Sequence, residues 1–171
     1  MTTIDPTASP AQAAQTAREM LRHTLATLAY RGGKALRGAP AEFADFRAGP
    51  DTRTPLQILA HMGSLMEWAL WMVRGGDRSR AGAPASWDQE VQRFFAGVEA
   101  LDACLAGDGP LGMGAECLFQ GPIADALTHV GQIAMLRRMA GSPVRGENYA
   151  KASISAGRVG LDQPPPNVEF D

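Results

Sequence analysis

Residues 124–141 read A-D-A-L-T-H-V-G-Q-I-A-M-L-R-R-M-A-G. The spacing of Ala126, Val130 and Ile133 predicts one apolar helix face, which Gly141 ends. Asp125 and His129 stand four residues apart on this helix. At about 100° per residue, Asp125, His129, Gln132 and Leu136 share one narrow sector bordering the apolar one. A carboxylate and an imidazole at the edge of a greasy face need partners, because burying either one alone is costly.

Three more helices precede this one. Ser9-Pro10 pairs a capping side chain with proline at the first helical position. From there Ala14, Ala17, Leu21, Leu25 and Leu28 keep one apolar face, and the Gly32-Gly33 pair reads as its stop. Residues 38–53, rich in Gly, Pro and Ala, form a connection with a short turn around Phe43 and Phe46. Thr54-Pro55 opens a second helix that Gly75-Gly76 closes, with Ile58, His61, Leu65, Trp68 and Met72 as its inward row. Ser86 to Gln89 has the form of a capping box, followed by a stripe of Trp87, Val91, Phe94, Val98, Leu101 and Leu105. Gly121-Pro122 begins the fourth helix.

Four amphipathic helices predict an all-α fold, a four-helix bundle, over residues 10–141. A flexible N-terminus over 1–9 precedes it. Strand signals are nearly absent before residue 143, whereas residues 142–171 contain several glycines and Pro164-Pro165-Pro166, so an extended C-terminal tail packed on the bundle is expected.

The bulk composition narrows the function classes. A chain of 171 residues, 45% hydrophobic and 20% charged, can bury a core as one domain. With a net charge of −2 and no basic run, nucleic-acid binding has no electrostatic support. Cys104 and Cys117 are not in a C-x-x-C arrangement and read as reduced thiols of a cytoplasmic protein. The opening MTTIDPTASP has neither a basic region nor an apolar stretch, so no signal peptide is expected. No segment approaches the roughly eighteen apolar residues of a membrane span.

His61 lies within the apolar row of the second helix and needs a partner of its own. Two readings stay open. Neutral imidazoles at His61 and His129 and the carboxylate of Asp125 can bind one divalent cation, leaving a position for water or substrate. Two histidines and one carboxylate suit zinc and also iron(II). Alternatively, Asp125 and His129 form a plain helical ion pair, and His61 is a core histidine bonded to a carbonyl.

Residues 59–63, L-A-H-M-G, and the pattern H-x-G-Q-x-x-x-L-R from His129 to Arg137 resemble the DinB-like family of four-helix-bundle metalloproteins. The resemblance covers about residues 10–141. It implies a divalent metal, zinc or nickel foremost and iron as a further candidate, held by His61, Asp125 and His129. Many members carry histidine where this chain has Asp125. The mycothiol-dependent maleylpyruvate isomerases have a carboxylate there. The implied chemistry is a metal- and thiol-dependent transferase or isomerase acting with a low-molecular-weight thiol. The alternative is a non-catalytic metal-binding or stress-linked module, and a homodimer is implied in either case.

Around these ligands, Gln132, Trp68, Arg137, Glu147 and Tyr149 are candidates for supporting the metal or touching substrate. Each has a plainer reading: packing for Trp68 and Trp71, a carboxylate or tail carbonyls for Arg137, and a solvated loop for the cluster Arg145, Glu147, Asn148 and Tyr149. Glu19 and His23 read as a surface ion pair lying, with Tyr30, opposite the leucine stripe. The Glu-x-x-His motifs of di-iron bundles do not occur. Met62, Met66, Met72, Met135 and Met139 fit as core fillers. No phosphate loop or nucleophile elbow is present.

Overall fold

Three of the long helices start from the same local device. In the computed structural model, which describes residues 9–75 and 83–170, α1 (Pro10–Leu36) is capped by Ser9 and Gln12. α2 (Pro55–Arg74) is capped by Thr54 and Gln57, and α3 (Trp87–Ala106) by Ser86 and Gln89. In each, the hydroxyl accepts from the glutamine N–H while the glutamine side chain accepts from the cap N–H. Two otherwise orphaned donors are satisfied at each start. Gly75 ends α2 at φ +71°, and Gly141 follows the last helix at φ +76°, both in the left-handed region that favours glycine. Gly76 and the expected flexible stretch up to residue 8 lie outside the described residues.

Gly32-Gly33 does not stop α1. The helix continues to Leu36 with both glycines buried in it. Gly32 lies in close packing, whereas Gly33 has room for ordinary contact. A Cβ on Gly32 would sit 3.3 Å from the Phe94 ring, and one on Gly33 would sit 3.5 Å from Gln163 Cγ. The first turns of α1 are also less buried than the pattern predicts: Ala14 is exposed and Ala17 half-buried, while Leu21, Leu25 and Leu28 are core.

The last long helix begins earlier than Gly121-Pro122. A single turn, α4 (Ala115–Leu118), runs through a π-helical turn at Phe119–Ile123 into α5 (Ala124–Met139). Contacts give the helix directions. Arg22 meets Asp102, and Gly32 approaches Phe94, so α1 and α3 are antiparallel. Gly63 approaches Arg93, Gly97 approaches Met66, and Arg74 meets Cys104, so α2 and α3 are parallel. Trp68 meets Gly121, and His61 meets Asp125, so α2 and α5 are antiparallel. Each of α1 and α2 packs on both α3 and α5, and the core lies among the four.

The chain is thus mostly helical. A 3-10 turn at Ala41–Asp45 buries Phe43, which packs edge-on against Trp87 at 5.6 Å. Residues 142–170 contain a small antiparallel strand pair, β1 (Gly146–Glu147) with β2 (Glu169–Phe170). The tail therefore has some regular structure, where only an extended run was expected. No helix among the described residues is long and apolar enough to cross a membrane.

Candidate metal centre

The turn that leads into Asp125 is set by Pro122. Proline has no N–H and its ring crowds the carbonyl four residues back, so a regular α-turn is disfavoured there. The chain widens instead: Ala124 N–H reaches the carbonyl of Phe119, five residues back. One extra residue in the turn rotates the facing of every later position on the helix by about 100°. Gly121 lies against Trp68, whose ring is 3.3 Å from where a Cβ would be. Trp68 thus props the wide turn one helical turn before Asp125.

Beyond that turn, Asp125 stands between the two imidazoles. Its Oδ2 is 3.4 Å from His61 Nε2, and its Oδ1 is 3.3 Å from His129 Nε2. The two rings are edge-to-face with centroids 4.9 Å apart. One donor atom from each of the three residues falls within 4.8 Å of the others. A tetrahedral ion at about 2.1 Å from each donor draws them to roughly 3.5 Å apart. Small side-chain rotations close that difference, so the donor set fits a divalent cation.

Burial is graded across the trio. The His129 side chain is 10% exposed, whereas those of His61 and Asp125 are 36% and 46% exposed. The expected inward row of α2 therefore keeps Ile58, Leu65 and Met72 in the core but leaves His61 and Trp68 half-buried at its border. One side of the centre is packed and the other opens to solvent. Gln132 lies on the packed histidine, with its Oε1 2.8 Å from His129 Nδ1.

The remaining candidates lie elsewhere. Arg137 is buried and bonds the carbonyls of Ala35, Arg37 and Gly38 and both oxygens of Ser142. Carbonyls at the end of α1 lack helical partners, so the guanidinium caps α1 rather than meeting a substrate. Burial lowers its pKa. Glu147 is buried against α1, accepting from Tyr30 Oη at 2.7 Å and Lys34 Nζ at 2.8 Å. Tyr149 packs edge-on against Tyr30 at 6.3 Å and under Arg31. These tail residues seal α1, whereas the trio belongs to α2 and α5.

That cover explains Tyr30, which is buried although its side of α1 was expected to face water. Glu19 and His23 are both exposed, and Glu19 accepts from Gln15 at 3.0 Å. Met62, Met66 and Met72 fill the core, but Met135 and Met139 are exposed at 61% and 54%. On α5 the helical spacing of methionines does not face inward, because the inward positions belong to Ala126, Val130, Ile133 and Leu136.

Arg93 was not anticipated. From α3 it reaches across to the Ala60 carbonyl at 2.6 Å, next to His61, and to Glu67 at 2.7 Å. Burial alone would lower its pKa, but the carboxylates of Glu90 and Glu67 outweigh this and raise it. The signal was Gly63: a Cβ there would be 2.8 Å from the guanidinium carbon. Comparison with known proteins returns no matching family model, curated protein or solved structure, so the reading of this centre rests on its own chemistry.

Proposed function

We propose that this protein is a divalent-metal protein of the DinB-like kind, a four-helix bundle whose ligands are His61, Asp125 and His129. The observation that carries this reading is the approach of three donors from two helices, with Asp125 between two imidazole nitrogens at 3.4 and 3.3 Å. Two imidazoles and a carboxylate fit zinc, nickel or iron(II). The exposed side leaves room for a further ligand from solvent, the pattern of reactive rather than purely structural sites. A bound ion there would act as a Lewis acid toward water or a thiol. Thiol-dependent transfer or isomerisation is the chemistry we assign, with metal binding without turnover as its rival.

Metal analysis of protein purified without an affinity tag tests the centre. One ion per chain is expected, lost in His61→Ala and in His129→Ala. Unchanged metal content in both variants removes the proposal and leaves a His–Asp–His ion cluster. For the chemistry, glutathione, mycothiol and bacillithiol are added in turn to cobalt-substituted protein. A thiol that shifts the visible cobalt spectrum supports the transferase or isomerase reading, and silence with all three favours the binder.

A further inference from the structure

We infer that Gln132 is the positioning residue of this centre: its side-chain oxygen selects the nitrogen with which His129 binds the metal and sets the strength of that bond. This rests on the metal reading above. The observation is the 2.8 Å approach of Gln132 Oε1 to His129 Nδ1, on the side of the ring away from Asp125.

An amide oxygen only accepts, so it is satisfied when Nδ1 carries the hydrogen. In a neutral imidazole that leaves the lone pair on Nε2, the atom 3.3 Å from Asp125 Oδ1. The same bond fixes the ring plane and makes the imidazole a better donor to a cation. His61 is held differently. It is half-exposed on α2 and meets Asp125 through Nε2 at 3.4 Å. His129 is therefore the pre-oriented ligand, and Gln132 is what orients it.

Among the described residues, Gln132 bonds the His129 side chain. It lies on the exposed face of α5, outside the core, so a side chain held in one rotamer there loses entropy without burying apolar surface. Its spacing of three residues from His129 is the helical neighbour position from which an amide can reach the ring.

The test is zinc affinity of the full chain, measured by chelator competition for wild type, Gln132→Leu and Gln132→Glu. Gln132→Leu keeps the bulk and removes the acceptor, so about 10- to 100-fold weaker binding is expected. Gln132→Glu restores an acceptor and is expected to bind within a few-fold of wild type or tighter. The urea midpoints of the metal-free proteins should stay together, because the residue is exposed. In the cobalt-substituted protein the His129 Nδ1–H resonance should exchange faster with water in Gln132→Leu. Equal zinc affinity for wild type and Gln132→Leu overturns the inference, as does equal weakening in the Leu and Glu variants. Absence of zinc binding by the wild type overturns the metal reading itself, a separate result.

Discussion

Arg137 and His129 show how much a single side chain can carry here. Arg137 is one guanidinium satisfying the end of α1 and the start of the tail at once. Removing it strands several carbonyls, at about 1–3 kcal/mol for each left unsatisfied and buried. Arg137→Met is expected to lower unfolding free energy by about 3 kcal/mol, read by urea denaturation. Arg137→Lys should recover only part, since an ammonium cannot span that fork of acceptors. Metal content should be unchanged in both, because Arg137 makes its hydrogen bonds to Ser142 and to the end of α1, none of them in the trio. In the sequence, Asp125, His129 and Gln132 were legible as one sector, since i, i+3 and i+4 positions face together whatever surrounds them. The task of Arg137 was legible only in part: its bond to the Ser142 carbonyl matches the tail carbonyls read from the sequence, whereas its partners at the end of α1 are about a hundred residues away.

Glycine divides the helices into tight and open contacts. At Gly97, α3 passes so close to α2 that a Cβ would lie 2.6 Å from Met66 Cβ. Gly97→Ala should therefore destabilise by about 1–3 kcal/mol, the usual penalty of overpacking. Gly131 in α5 has nothing within 4 Å of where its Cβ would be. Gly131→Ala should stabilise by about 0.5–1 kcal/mol, from the helix propensity gained. Paired thermal or urea unfolding checks the opposite signs, and a loss in both variants would refute the packing argument. The same logic bears on Gly32, read with Gly33 as a stop: a stop signal and a close-approach site have the same composition. The π turn at Pro122 likewise reads as a boundary, because proline breaks the α-pattern whether the helix ends or widens.

For the whole molecule, the tail is held on α1 by a buried cluster of charges. Lys34 Nζ bonds Glu147 at 2.8 Å and Glu169 at 2.7 Å. Burial alone would raise the Glu147 carboxyl, but Lys34 and Tyr30 outweigh it and hold its pKa below the ordinary range. A depressed acid contributes stability above its unfolded pKa and loses it as pH falls through the folded value. Burial alone would lower Lys34, but the two glutamates outweigh it and raise it. That contribution is present below the ordinary lysine value and disappears as pH rises through the raised one. The cluster is therefore strongest near neutrality. Glu147→Ala should cost about 3 kcal/mol at pH 7, toward the lower end for a buried pair because Lys34 keeps Glu169. Between pH 7 and pH 3 the wild type should lose more urea stability than Glu147→Gln, and parallel curves would show that the carboxylate does not contribute. Metal content should survive these changes, since the cluster lies on α1.

From the sequence alone came the starts of α1, α2 and α3, most of the buried faces and the pairing of Asp125 with His129. Each of these is set within a few residues of chain, by hydrogen bonds to neighbouring N–H groups or by the pitch of the helix. Only the tertiary structure decided that His61 meets that pair, that the helix ahead of Asp125 widens, and that Glu147, Tyr149 and Arg137 serve α1. Those outcomes depend on which surfaces of distant segments pack together. Packing is a property of shape and burial summed over the whole chain, and no local spacing encodes it.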